Sequence, residues 1–145
     1  MMKRYYGEKL RRLCLVLGVL FTVSTSLALG QRTVARISEG SLRKIAVKTV
    51  MPEYPPDSVR RQSKGVAVAE LIFDEAGVVS QVEILEAPDS LIEKATTEAV
   101  RQWTFKPTRM RDEHGPPIRV QGKLTFYFVI NDQGQARVEN PKQFN

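Results

Sequence analysis

An α+β fold is what this sequence predicts: a two-layer sandwich in which two helices cover one face of a small antiparallel sheet of three or four strands. Three observations predict it. Residues 64–86 alternate apolar and polar side chains on either side of a short turn, the pattern of a hairpin whose strands each keep one apolar face. Residues 89–103 repeat apolar side chains at intervals of three and four, the period of a helix with one buried stripe. Residues 118–130 return to alternation. A sheet that is apolar on one face and helices that each carry one apolar stripe bury both by packing together.

The 145-residue chain has room for one small domain and its flanks, not for two domains. Residues 1–12 are basic, residues 13–23 (LCLVLGVLFTV) form an apolar run, and residues 24–30 turn small and polar, with Ala28 and Gly30 ahead of a cut at Gln31. This is the three-part plan of an export signal. Residues 13–23 fall short of the roughly 20 apolar residues of a spanning helix, while counting on to Leu29 reaches the lower edge of that range. Residues 1–30 therefore read as a cleaved signal peptide or an N-terminal membrane anchor, and either one exports the rest of the chain. Cys14, the only cysteine, lies inside that run without the context of a lipidated cysteine, so the chain offers neither a disulfide nor a thiolate metal site.

Residues 31–50 read as a linker that ends in a short strand over residues 43–50 (RKIAVKTV). Pro52, Pro55 and Pro56 exclude a helix through the next stretch, and residues 57–63 suit a short helix with Pro56 or Asp57 at its start. In residues 64–74, Ala67, Ala69, Leu71 and Phe73 share one strand face and Val66, Val68, Glu70 and Ile72 the other. Asp74 and Gly77 bound a tight turn in which Gly77 supplies positive φ, and residues 78–86 return. The helix after this hairpin puts Ile92, Ala95, Thr96, Ala99, Val100 and Trp103 on one face. Asp89 or Ser90 is its N-cap, and Glu93, three residues after Ser90, completes a capping box. Pro107 disfavours helical geometry at Lys106, so Trp103 and Phe105 are left to pack on the sheet. Residues 109–117 are a polar loop. In the last strand Val120, Leu124, Phe126 and Phe128 face one way, and residues 131–145 form a flexible tail.

Composition removes several function classes. Of the net charge of +6, residues 1–30 carry Lys3, Arg4, Lys9, Arg11 and Arg12 against Glu8, which is +4, and the remainder is near neutral at +2. A basic patch for nucleic acid is not supported. His114 is the only histidine and sits in a turn-rich loop, so a zinc site has too few ligands. Ser58, Ser63, Ser80 and Ser90 have no histidine base near them in sequence and no Gly-x-Ser-x-Gly elbow. Asp74 and Glu75 belong to turn geometry, and Glu70 suits a cross-strand ion pair. No catalytic residue, metal site or cofactor is assigned, and the chain does not read as an enzyme.

In order and spacing, these residues resemble the C-terminal domain of the TonB family. The likeness is carried by Pro52, Tyr54 and Pro55; by Gly65 opening an alternating strand; by Asp74 and Gly77 closing the hairpin; and by Ala95, Ala99 and Val100. It continues through Trp103, Phe105 and Pro107 after the helix and through Gly115, Pro117 and Ile118 before a strand that holds Phe126 and Phe128. It extends over about residues 50–130, which sets the domain at residues 51–130.

The resemblance implies a periplasmic module that binds an extended peptide of an outer-membrane TonB-dependent transporter by strand addition, in energy-coupled transport. In that family the last strand receives the peptide. Here that makes Arg119, Gln121, Lys123, Thr125 and Tyr127 the candidate residues, on an edge strand whose unpaired backbone accepts a partner. The competing reading is that Arg119 and Lys123 guard this edge against aggregation. Exposed sheet edges also allow a homodimer. ExbB- and ExbD-type inner-membrane proteins are implied as partners only if the N-terminus stays uncleaved. Two departures weaken a full transducer role. The apolar segment is short, and residues 31–50 contain no proline and reach at most ~70 Å at ~3.3–3.6 Å per residue. Two other readings stand beside this one: a free envelope scaffolding domain without energy coupling, and a small carboxylate hydrolase relying on Glu70 or Asp74.

Overall fold

The alternation in residues 64–86 becomes a hairpin of β3 (Gly65–Phe73) and β4 (Val79–Glu86), antiparallel from Val68↔Glu86 to Phe73↔Val79. The turn works by an Asx device. Asp74 Oδ1 accepts from the N–H groups of Ala76 (3.0 Å) and Val78 (2.9 Å), and Gly77 takes φ +86°. Gly77 is fixed for a second reason: a Cβ there would stand 2.0 Å from the Phe105 carbonyl oxygen. The computed structural model describes residues 34–110 and 114–141, and the expected signal or anchor in residues 1–30 lies outside them.

Helix α3 (Ser90–Val100) comes after the hairpin. Asp89 is its N-cap, with Oδ1 accepting from the Leu91 (2.9 Å) and Ile92 (2.8 Å) N–H groups. That places Glu93 one position too far along for the expected capping box, which does not form. Ile92, Thr96, Ala99 and Val100 are buried and Ala95 is half-buried, as the apolar stripe requires. The last long strand is β6 (Arg119–Ile130), antiparallel to β3 from Gly65↔Phe128 to Phe73↔Val120. Ala67, Ala69, Leu71 and Phe73 of β3 join Val120, Leu124, Phe126 and Phe128 of β6, together with Ile92, Val100, Trp103 and Phe105, in one buried cluster. The short helix α1 (Glu39–Lys44) adds Leu42, and α2 (Pro56–Arg60) starts on Pro56 as anticipated.

After α3 the chain crosses the core as a clasp. Trp103 Nε1 donates to the Val50 carbonyl (2.7 Å), and its ring lies 6.1 Å from Phe105 and 6.3 Å from Phe126 between centroids. Phe105 stacks on Phe73 at 4.6 Å, and its N–H donates to the Gly77 carbonyl at 2.8 Å. Strands β2 (Ala46–Lys48) and β5 (Thr104–Phe105) pair antiparallel, so the clasp joins the hairpin turn, the helix and the N-terminal flank.

Both flanks depart from expectation. Residues 31–50 are not a plain linker: β1 (Val34–Arg36) runs parallel to β6, and α1 and β2 come after it. Arg43 and Lys44, expected to be extended, end α1. The expected tail contains β7 (Ala136–Glu139), antiparallel to β6 at Tyr127–Ile130. The main sheet thus has five strands in the order β1-β6-β3-β4, with β7 also on β6, and it is mixed rather than purely antiparallel.

Trp103→Ala removes the largest fully buried side chain and strands the Val50 carbonyl. The expected cost is about 3–5 kcal/mol, read by urea unfolding against the parent chain. A midpoint shift equivalent to less than about 1 kcal/mol would show that the clasp is not central to stability.

Candidate functional site

A strand with alternate residues buried sends the intervening side chains to the other face. In β6 this puts Arg119, Gln121, Lys123, Thr125 and Tyr127 together, opposite the buried Val120, Leu124, Phe126 and Phe128. All five candidate residues therefore share one side of one strand. The expectation that this strand is an edge is not met. β6 lies inside the sheet, with β3 along one side and shorter pieces of the chain along the other. Among the described residues, the strands of this sheet paired on one side only are β4 at one edge and the short β1 and β7 at the other.

The outer side of β6 is covered in three different ways. At its start β1 pairs in register with Arg119, Val120 and Gln121, the Ile37 N–H donates to the Gln121 carbonyl (3.0 Å), and Arg36 Nε donates to Gln121 Oε1 (3.0 Å). At its end β7 takes Tyr127–Ile130. Between them no strand intervenes among the described residues. There the Thr125 N–H donates to Glu39 Oε1 (2.9 Å), its hydroxyl donates to Glu39 Oε2 (2.9 Å), and its carbonyl accepts from Arg43 Nη2 (2.9 Å). Glu39 and Arg43 are an i,i+4 ion pair on α1 at 2.8 Å, half-buried and held beside the aromatic core by the Arg43 guanidinium over Trp103 (5.7 Å) and Phe126 (5.6 Å). Gly122 makes room for α1: a Cβ there would meet Leu42 Cδ2 at 3.0 Å.

The remaining candidate side chains are held less firmly. Lys123 faces Glu70 across the strand pair at 4.0 Å, largely exposed, and Arg119 Nη2 reaches Ser80 Oγ at 3.4 Å. Tyr127 is exposed. The other motif residues serve the frame. Pro52 is buried, and Tyr54 sets its ring edge-on to Phe128 at 5.1 Å and donates its hydroxyl to the Ser63 carbonyl. Gly65, at φ +150°, lies against Pro88, and a Cβ on Gly115 would collide with the Met110 carbonyl. Pro55 is half-buried and Pro107 exposed. Glu39 and Arg43 went unnoticed in the sequence; the readable signal was Ser38 three residues before Ser41, with an acid and a base four apart behind it.

A family profile described as Gram-negative bacterial TonB protein C-terminal matches residues 50–130. The chain belongs to that family. Among solved structures it is similar to the solution structure of the TonB C-terminal domain of Pseudomonas aeruginosa, at 22% identity over 60% of this chain and 86% of that one, with a TM-score of 0.49. A comparison with curated proteins gave no match. TonB C-terminal domains are non-catalytic energy-transducer and binding domains that interact with outer-membrane TonB-dependent transporters, and TonB proteins are periplasmic or envelope-associated. Among the described residues no group of histidine, cysteine and carboxylate side chains is placed to hold a metal, and no helix is long and apolar enough to cross a membrane.

One titrating group bears on the frame of this TonB domain. Burial opposes the charge of Asp89, but the Ile92 N–H, the hydroxyls of Ser58 and Ser63 and the Leu91 N–H outweigh it and hold the carboxyl below its ordinary 3.8. Burial, and after it the Asp89 charge, raises the Tyr54 phenol. A depressed carboxyl contributes stability above its unfolded pKa and loses it as pH falls through the folded value. Asp89→Ala is therefore expected to cost about 1 kcal/mol at neutral pH, as cap removal does. The gap to the parent chain should narrow below the ordinary carboxylate range, which urea unfolding across pH 2–7 would reveal. A gap that widened toward acid would reverse the assignment.

Proposed function

We propose that this chain is a periplasmic peptide-binding module that takes an extended segment of an outer-membrane transporter as an added strand along the outer side of β6, in TonB-type energy-coupled transport. One observation carries the reading. Among the described residues, the outer side of the longest strand in the sheet is met by strands only at Arg119–Gln121 and Tyr127–Ile130, and the gap between them is filled by side chains. A backbone donor and acceptor aimed outward at Thr125 are what an added strand uses. Gln121, Lys123, Thr125 and Tyr127 lie along one face beside such a peptide, with Arg119 at its start. Main-chain pairing supplies affinity, and these alternate side chains supply selectivity.

Coupling to a proton motor through ExbB- and ExbD-type proteins needs residues 1–30 to remain as an anchor. The mass of the chain recovered from envelope fractions decides that point. A chain beginning at Gln31 makes it a free periplasmic binding or scaffolding domain, and a full-length membrane-bound chain keeps transduction.

The binding reading is tested by titrating the labelled protein with a synthetic peptide from the periplasmic N-terminal extension of an outer-membrane transporter of the same organism. Amide shifts should cluster on Gln121–Tyr127. Thr125→Pro, which removes an outward donor, should weaken binding by about tenfold or more while the inner β3 amides keep their positions. Unchanged affinity in a folded Thr125→Pro protein, or shifts confined to β4, would place the peptide elsewhere.

A further inference from the structure

The outer side of β6 is occupied by the chain itself, and the segment that does most of this is built in an unusual way. A strand neighbour offers a C=O to each outward N–H and an N–H to each outward C=O. At Thr125 the Glu39 carboxylate takes the first role and the Arg43 guanidinium the second, at 2.9 Å each. The pair is self-supporting. Arg43 Nε and Nη2 both donate to Glu39 Oε1, at 3.0 and 2.8 Å, while Arg43 Nη1 reaches Asn140 Oδ1 at 3.0 Å beyond β7. Two side chains thus reproduce what one residue of an added strand would do.

We infer that residues Val34–Lys44, made of β1 and α1, are a built-in competitor for the peptide, with Glu39 and Arg43 standing in for its backbone at Thr125. This rests on the reading that β6 receives a peptide. The geometry makes the competition steric as well as polar: β1 occupies the register from Arg119 to Gln121, and Leu42 of α1 lies over Gly122. A strand laid along Gly122–Phe126 needs the place that α1 holds. The strap is also the part of the fold best able to leave. β1 pairs over three residues in parallel, a pattern slightly weaker per residue than antiparallel pairing, and α1 has six residues, too few to be helical alone. Leu42 is its one fully buried side chain. β3, by contrast, is paired along its whole length with β6 and from Val68 to Phe73 with β4, and opens only with the whole domain.

The test uses the full chain in a Cys14→Ser background with two changes. Glu39→Ala removes the stand-in and should open the strap. Arg36→Cys with Gln121→Cys joins register partners whose side chains already touch, across a strand spacing that a disulfide spans, and should hold the strap shut when oxidised. Two quantities are read: hydrogen–deuterium exchange at the Thr125 and Leu71 amides, and binding of a fluorescent synthetic peptide with the sequence of residues 34–44. In the parent chain Thr125 should exchange by local opening, faster than Leu71. Glu39→Ala should speed Thr125 exchange by roughly tenfold or more while Leu71 stays protected, which also certifies the fold. The peptide should bind the Glu39→Ala chain at least about tenfold more tightly than the parent, should fail to bind the oxidised double variant, and should bind it again after reduction.

Thr125 and Leu71 exchanging at one rate in the parent chain would overturn the strap as a separate opening unit. Equal peptide affinity in the open, parent and locked chains would overturn it as a competitor. Fast Thr125 exchange in Glu39→Ala with no peptide capture would overturn the proposal through the reading beneath it, because an opened β6 would then not accept a strand.

Discussion

A strand has two backbone sides, and each outward N–H or C=O that leaves water needs a partner. β6 meets that requirement on one side with a continuous antiparallel ladder to β3 from Gly65↔Phe128 to Phe73↔Val120. On the other it meets it piecemeal, from β1, from two side chains on α1, and from β7. Much of the rest of the domain depends on this asymmetry. The continuous side anchors the core, since β3 and β6 supply eight of its buried side chains: Ala67, Ala69, Leu71, Phe73, Val120, Leu124, Phe126 and Phe128. The piecemeal side recruits both flanks of the chain, so segments outside the family-matched residues 50–130 become part of the sheet.

The aromatic clasp links the two sides. Trp103 and Phe126 present their faces to the Arg43 guanidinium, so the group that caps Thr125 rests on the core that β6 helps to build. The same Trp103 holds the Val50 carbonyl, and Lys106 donates its N–H to the Ile45 carbonyl at 2.8 Å, just past the end of α1. The strap is therefore tethered at its C-terminal end by hydrogen bonds into the clasp. At its N-terminal end it is held by a three-residue pairing and the contacts of Ile37 and Arg36 with Gln121. Such a segment departs from its weakly paired β1 end toward its hinge, and the hinge keeps it close enough to return.

The central α+β sandwich was legible because its signals are periodic and long. Nine alternating residues in β3, twelve in β6 and an eleven-residue helix with an unbroken stripe leave little choice of face. The five candidate binding residues were legible for the same reason, since parity alone puts them on one side of β6. What parity does not reveal is which strand lies at an edge. That depended on β1 and β7, three and four residues long, below the length at which alternation separates from chance. One of the two had a readable signal. The turn before β7 repeats the turn before β4: Asn131 Oδ1 accepts from Gln133 and Gln135 as Asp74 Oδ1 does from Ala76 and Val78, with Gly134 at φ +76° in the place of Gly77. An Asx residue three before a glycine, directly after a long apolar strand, announces a hairpin in both places. α1 was hidden by its six residues and by Gly40 inside it, which breaks the apolar period and lowers helix propensity.

The two covers of β6 differ in kind, and the difference sets the order in which they yield. β7 is the second arm of a hairpin closed by the Asn131 turn, so it reforms locally and quickly after any opening, and its register is fixed by that turn. β1 reaches β6 from far away in sequence, and its pairing is parallel, which no tight turn enforces. Its hold therefore depends on the residues after it: Ile37 on Gln121, Leu42 in the core, and the Glu39–Arg43 pair on Thr125. Removing one charge of a half-buried, hydrogen-bonded pair leaves the other without its partner, so the strap fails as a unit more readily than residue by residue. A cover that opens as a unit exposes Arg119–Phe126 together. That is the length of backbone an added strand needs to gain several hydrogen bonds in one step, before its own ordering cost is met.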